Sequence, residues 1–222
     1  MASLIPTPAP PRDPAQARER LLALLHQEPR GVAQRHNAEI LQLITTLERE
    51  QSADLAQPQS LELLEGVWEL RWSSSRQPYL AVQPWLENLQ LLLPSQGRGM
   101  NLLRPSPPFT PLACIAVETA IAIASDGSTT APLQRVQVRF QRGGWLGPPL
   151  GGKRLQLLRR VQQPFPAWLD ITVLDDELRV CRGNAGTLFA LLRRRDCALE
   201  DLLLPLEESQ IQQGGGSLHQ NL

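Results

Sequence analysis

LLEGVWELRWSSS, Leu63 to Ser75, is where the 222-residue chain changes character. Before it the sequence is polar with helical periodicity; after it, short runs of alternating hydrophobicity recur. Trp68, Leu70 and Trp72 stand at period two, which predicts that they share one face of a strand, with Glu69, Arg71 and Ser73 on the other. Two indoles on one strand face form a large apolar surface that needs a partner. Gly66, two residues before the first Trp, lets another element approach the backbone closely where the strand begins.

Upstream, Asp13-Pro14 reads as an N-cap followed by the first helical residue, and a helix is expected to about His26 with Leu21, Leu22, Leu24 and Leu25 as its apolar stripe. Pro29-Arg30-Gly31 breaks it. A second helix runs from about Asn37 to Glu50, with Ile40, Leu41, Ile44 and Leu47 on one face. Both are too short to be stable alone, so they must pack on the strands.

Downstream, eight further strand patterns follow, centred on Leu89–Leu93, Met100–Arg104, Cys114–Ala124, Arg135–Phe140, Leu155–Val161, Trp168–Leu174, Glu177–Arg182 and Thr187–Arg193. Ser-, Asp-, Gly- and Pro-rich turns separate them. GGWLGPPLGG, Gly143–Gly152, reads as a flexible loop carrying Trp145 and Leu146 toward solvent or a bilayer interface. The expected fold is mainly β: an antiparallel barrel of about eight to nine strands preceded by two N-terminal helices.

Composition narrows the function classes. The chain carries 22 Lys and Arg against 22 Asp and Glu, which argues against a nucleic-acid partner tracking phosphates. No apolar run approaches the ~18 residues a membrane-spanning helix needs. MASLIPTPAPPRDP lacks the basic and apolar regions of a secretory signal. The three cysteines have no Cys-x-x-Cys spacing and imply a reducing compartment. No metal is expected, because His26, His36 and His219 lack ligand spacing. No cofactor is expected, since the Gly-rich segment lacks a phosphate-loop Lys-Ser/Thr and helix.

LDDELRVCRGNAGTLFALLRR, Leu174 to Arg194, is the most specific segment. Leu178, Arg179, Arg182, Gly183, Gly186, Leu188 and Phe189 stand where the plastid lipid-associated protein family, the PAP/fibrillins, has Leu-Arg-x-x-Arg-Gly, a turn and Gly-x-Leu-Phe-x-Leu. RERLLALLHQEPRGVAQRHNAEILQLITTLERE resembles that family's two opening helices, and LLEGVWELRWSSS its Leu-Leu-x-Gly-x-Trp strand, which is also the opening pattern of lipocalin-like barrels. Gln77–Pro111 matches poorly. The resemblance covers about Arg18 to Arg194. It implies a PAP/fibrillin domain at 13–206 (helices within 13–50, a lipocalin-like barrel over 64–195), while composition alone marks 1–12 as a disordered Pro-rich N-terminus and 207–222 as a low-complexity disordered tail. The resemblance also implies a protein of plastids or cyanobacteria, peripherally associated with thylakoid membranes, that handles carotenoids, quinones or other prenyl lipids and serves photoprotection. With no transit or signal peptide evident, the cyanobacterial type and a cytoplasmic location are expected.

Trp68, Leu70, Trp72, Val136, Val138, Phe140 and Phe189 are the candidate cavity lining, for a prenyl or fatty-acyl lipid bound through apolar area. If Leu178 and Val180 face inward, Arg182 does too. It is then expected to close one barrel end by stacking on Trp68, as an arginine does in lipocalins, or by pairing with a carboxylate. The basic run Arg193-Arg194-Arg195 is a candidate for anionic headgroups on a peripheral membrane surface. Asp175-Asp176 reads as a turn rather than a pair of catalytic acids. Two non-enzymatic readings follow: a carrier that binds or sequesters hydrophobic prenyl lipids, or a filled barrel that coats lipid surfaces or assists quinone-synthesis enzymes. An enzyme would need polar groups converging in the cavity, and the inward faces offer only Arg182 and Thr119.

Overall fold

A computed structural model describes residues 13–50, 52–77, 80–108, 114–124, 133–150, 153–163 and 166–204. The expectations for the N-terminus and the tail lie outside the described residues. Helix α1 (Pro14–Leu25) begins under the Asp13 cap, whose carboxylate accepts from the Ala15 amide. A 3-10 turn (Val32–His36) joins it to α2 (Asn37–Glu50), and α3 (Pro58–Leu64) leads into the first strand.

Nine strands follow: β1 (Gly66–Ser73), β2 (Leu86–Leu93), β3 (Arg98–Pro105), β4 (Cys114–Ile123), β5 (Arg135–Leu150), β6 (Lys153–Arg160), β7 (Ala167–Leu174), β8 (Leu178–Gly183) and β9 (Leu188–Arg193). They form one antiparallel sheet in the order β4-β3-β2-β1-β9-β8-β7-β5-β6, and a further β4–β5 pairing closes it into a ring. β5 serves two neighbours. Its first half pairs with β7 and its second half with β6, while β4 runs along both. Eight strands therefore form the closed cylinder, which removes the exposed edges an open sheet would carry, and β6 extends it at one rim.

GGWLGPPLGG is thus not a loop. As far as Leu150 it continues β5, and Trp145 pairs with Ile115 on one side and Leu157 on the other. Gly144 allows this, because a Cβ there would sit 2.1 Å from the Leu157 carbonyl oxygen. Leu146 is buried against the outer face of the barrel, not offered to a bilayer.

The outer face is covered in two places. α1 and α2 lie over β7, β8 and β9, where Leu21, Leu25, Ile40 and Ile44 meet Val173, Leu178, Val180, Ala190 and Leu192. The segment from Cys197 to Leu204, with the short α4 (Leu199–Leu202), covers Val67, Leu91, Met100, Leu102 and Leu146. Two buried carboxylates on that outer face hold these covers together. Glu69 and Glu87, the latter only 1% exposed, accept from Arg30 of the Pro-Arg-Gly link, and Arg30 Nη2 lies 2.9 Å from Glu87. Arg104 donates to Glu87 at 2.5 Å, and Arg194 reaches Glu69 at 2.9 Å and Glu87 at 3.1 Å. Arg71 lies 3.5 Å from Glu69 and donates to Glu28 and to the carbonyls of Leu25 and Gln27, at the C-terminal end of α1.

A second anchor is the Asp175 turn between β7 and β8. Its carboxylate accepts from Arg18 of α1 at 2.6 and 3.0 Å and from the amides of Glu177 and Leu178 at 2.8 Å. Burial alone would raise this carboxyl, but those donors outweigh it and hold it below the usual 3.8. A depressed folded-state pKa contributes stability above the unfolded value that is lost as pH falls through the folded one. Asp175→Asn is therefore expected to be less stable than the native chain at neutral pH. Urea denaturation should show the gap narrowing as pH falls to about 3. A gap that is constant with pH would show that the carboxylate charge plays no part.

Candidate functional site: a cavity inside the barrel

The barrel has a closed end and an open one. At the closed end α3 and residues 52–57 lie across the strands. The Ala53 amide donates to the Thr172 carbonyl, and the Leu55 amide to the Leu133 carbonyl. Trp68 sits here fully buried, its indole N–H donating to the Leu64 carbonyl at 2.9 Å. Above it is a cavity of about 540 Å3. Most of its wall is apolar, from Leu70, Leu92, Val117, Ile121, Val136, Val138, Phe140, Leu169, Ile171 and Phe189, with Asn88, Gln90, Asn101, Thr119 and Arg179 as polar exceptions. The mouth is ringed by Leu80, Leu103, Ile115, Asn184 and Ala185. Ile115 is 55% exposed.

Of the residues expected to line a cavity, Leu70, Val136, Val138, Phe140 and Phe189 do so. Trp68 does not: it is fully buried beneath Arg179, which lines the cavity in its place. Trp72 is on the other side of the wall, and this corrects the reading of a single Trp68–Trp72 face. A β-bulge falls between Leu70 and Trp72, so that Leu70 pairs with Leu191 but Trp72 pairs with Ala190. The extra residue, Arg71, reverses the alternation. Trp72 then packs under α1 and α2, and its indole N–H donates to Asn37 at 2.7 Å.

Arg182 is corrected in the same way. Leu178, Val180 and Arg182 do share a face, but it is the outer one. Arg182 donates to Glu48 of α2, at 2.8 Å from Nε. The side chains over Trp68 are instead Arg193, 4.4 Å from the ring centroid, and Arg179, at 5.2 Å. Arg193 belongs to the architecture. Its guanidinium donates to the carbonyls of Leu63, Glu65 (2.7 Å) and Asp176 (2.8 Å). It passes over Gly66, where φ is +136° and a Cβ would come within 2.5 Å of Nη1. The basic run is likewise not a free patch, since Arg194 pairs with Asp196, Glu69 and Glu87, and Arg195 with Asp176.

Arg179 is different. It is fully buried, points inward from β8 and crosses the barrel to Gln90 of β2, whose amide oxygen accepts from Nη2. Its Nε has no hydrogen-bond partner among the described residues. No carboxylate of the described residues acts on it: burial pulls its pKa down to about 10, and the charge of Arg193 adds to that. The neighbouring acid, Cys181, is pushed up to about 11 by burial and so stays a neutral thiol. In the sequence Arg179 stands out only as part of the family's Leu-Arg-x-x-Arg-Gly pattern. The available signal was that α1 and α2 need an apolar outer face on β7–β9, which assigns Leu178 and Val180 outward and Arg179 inward. Among the described residues no cluster of His, Cys, Asp or Glu could hold a metal ion.

Residues 15–192 match the PAP_fibrillin family model. The chain belongs to the PAP/fibrillin family. This is a family of lipid-associated plastid proteins, and the match spans both outer helices, α3 and all nine strands but for the first residue of α1 and the last of β9. The chain is 28% identical to "Light-induced protein, chloroplastic" of Solanum tuberosum, over 83% of its own length and 70% of that relative. A protein of the same name from Solanum demissum matches to the same extent. No solved structure matches the chain. No described helix is long and apolar enough to cross a membrane.

The roles of the two floor arginines separate experimentally. Arg193→Met removes charge-assisted bonds to backbone carbonyls and a cation–π contact, so it should cost roughly 1.5–3 kcal/mol in urea denaturation. Unchanged stability would remove Arg193 from the barrel's architecture.

Proposed function

We propose that this PAP/fibrillin binds one hydrophobic lipid inside its barrel, a prenyl lipid such as a carotenoid or quinone or a fatty-acyl lipid, and exchanges it with a photosynthetic membrane without chemically changing it. The supporting observation is the cavity. Its volume of about 540 Å3 falls within the ~300–1,000 Å3 of ordinary small-molecule sites. Its apolar wall suits an aliphatic or isoprenoid chain, held at ~25 cal/mol for each Å2 removed from water. A filled barrel serving only as a scaffold would have no such space.

The rim supports exchange with a bilayer. Trp85 is 65% exposed just before β2, at the mouth end. Ile115, Trp145 and Leu157 stand side by side across β4, β5 and β6, and Leu157 is 63% exposed. Arg159 and Arg160 are exposed on the same hairpin. An indole, aliphatic side chains and cations grouped at a rim suit the headgroup region of an anionic membrane surface. This peripheral contact would let a lipid pass between bilayer and cavity without crossing water.

The test is a lipid-extract mass spectrum of protein purified from a photosynthetic host without detergent. Native protein should retain roughly one lipid per chain. Val138→Trp, which places an indole in the cavity, should retain at least about tenfold less, equivalent to ~1.4 kcal/mol, while still melting cooperatively. Native protein that carries no extractable lipid, or a Val138→Trp variant that carries as much as the native chain, would contradict the proposal.

A further inference from the structure

We infer that the floor of the cavity is a carboxylate site: the bound lipid enters head first, its carboxylate pairs with Arg179, and its chain runs along the apolar wall to the mouth. This rests on the reading of the cavity as a lipid site and adds the chemistry of the head.

The first support is the donor–acceptor inventory at the floor. Arg179 has only donors, and its buried Nε has no partner. The one acceptor it reaches, the Gln90 amide oxygen, is taken by Nη2. That leaves the Gln90 NH2 group as a further donor, and it makes no hydrogen bond to the described residues. Gln90 also stands in register with Asn101 across β2–β3 and with Trp68 across β1–β2. Two donors at the floor, Arg179 Nε and the Gln90 NH2 group, thus stand without an acceptor among the described residues, and the group that would complete them is an acceptor.

The second support is charge. Two guanidiniums, Arg179 and Arg193, lie against one indole. Arg193 is satisfied by three carbonyls. Arg179 faces the cavity as a fully buried cation with no carboxylate partner among the described residues. An unpaired charge in an apolar interior is costly, and a neutral acceptor supplies a hydrogen bond without cancelling the charge. A carboxylate does both, since its two oxygens match one guanidinium fork. A phosphate dianion would need more cations than the floor provides. The contrast with the outer face is direct, for there Arg30, Arg71, Arg104 and Arg194 are all matched by carboxylates.

A purely structural Arg179 makes the opposite prediction for stability. If it only braced Trp68, Arg179→Met would weaken the fold. If it awaits an anion, the variant removes a buried unpaired charge, and the empty protein should melt at the same temperature or higher.

The test uses the full chain, freed of lipid, with dodecanoic acid and methyl dodecanoate as probes in competition against a fluorescent hydrophobic dye. Native protein should bind the acid at least about tenfold more tightly than the ester. The preference should survive raised salt, because the site is shielded from solvent. Arg179→Met should lose the preference, bind the ester as native protein does, and melt no lower. Gln90→Leu should weaken acid binding by a smaller factor. Equal binding of acid and ester to native protein would overturn the carboxylate site while leaving the lipid cavity standing. Binding of neither would overturn both. An Arg179→Met variant that keeps the preference would overturn the assignment to Arg179. Should that variant not fold, Arg179 is a structural brace, and the native acid-to-ester ratio with Gln90→Leu decides whether the floor reads a carboxylate.

Discussion

One extra residue in β1 decides what is inside this protein. A regular strand through Trp68, Leu70 and Trp72 would send both indoles into the barrel, and the second would occupy the space that is now the cavity. The bulge at Arg71 turns Trp72 outward, where it becomes the surface on which α1 and α2 rest. A matching bulge at Thr172 in β7 sets Ile171 inward and Val173 outward. β8 and β9 run between these two kinked strands without a register shift. The barrel thus keeps its room by local irregularity, and the helices gain their anchor from the same irregularity. Arg71 itself is used at the turn, donating to the backbone that ends α1.

The distribution of charge follows from that wall. Outside, arginines and carboxylates from the Pro-Arg-Gly link, β1, β2, β3 and the segment after β9 satisfy one another. Buried pairs of this kind fix position more than they add stability, because desolvation offsets much of the attraction. They tie the covers to the barrel, and among the described residues no carboxylate is left at the cavity floor. Inside, Arg193 is spent on backbone carbonyls and Arg179 is not. The cavity therefore joins a long apolar wall to one uncompensated cation at its closed end. That combination suits an amphipathic lipid better than a hydrocarbon alone, and it sets the direction in which such a lipid lies.

Much of this was legible in the sequence, and the limits have physical causes. The bounds of α1 and α2 were readable from Asp13-Pro14, Pro29-Gly31 and the spacing of leucines and isoleucines. The nine strands were readable from alternation and turn residues. The faces were not. In LRVCRG both parities are buried, one against the helices and one against the cavity, so hydrophobicity gives no sign of which is which. The sequence therefore reads equally well with Arg182 inward, whereas Arg179, one parity over, is the residue that lies inside. Bulges leave no mark in a period-two pattern, so Trp72 was grouped with Trp68. The Gly-rich GGWLGPPLGG looked like a loop because glycine is poor in strands on average. Here glycine is what permits the backbone of β6 to come close. Leu70, Val136, Val138, Phe140 and Phe189 stand on the cavity side of their strands; for Leu70 and Phe189 both faces of the strand are buried, so the side is set by the bulge in β1 and the register of β9.

The separation of the two indoles is the claim on which the rest stands, and fluorine NMR of protein labelled with 5-fluorotryptophan tests it most directly. The five tryptophans give five lines, assigned by single Trp→Phe substitutions, and the protein is titrated with methyl dodecanoate. The Trp68 line should shift as the cavity above it fills, and the Trp72 line, on the far side of the wall under the helices, should stay in place. Lines that move together, or a Trp72 line that moves while Trp68 does not, would contradict the bulged wall and the cavity it encloses.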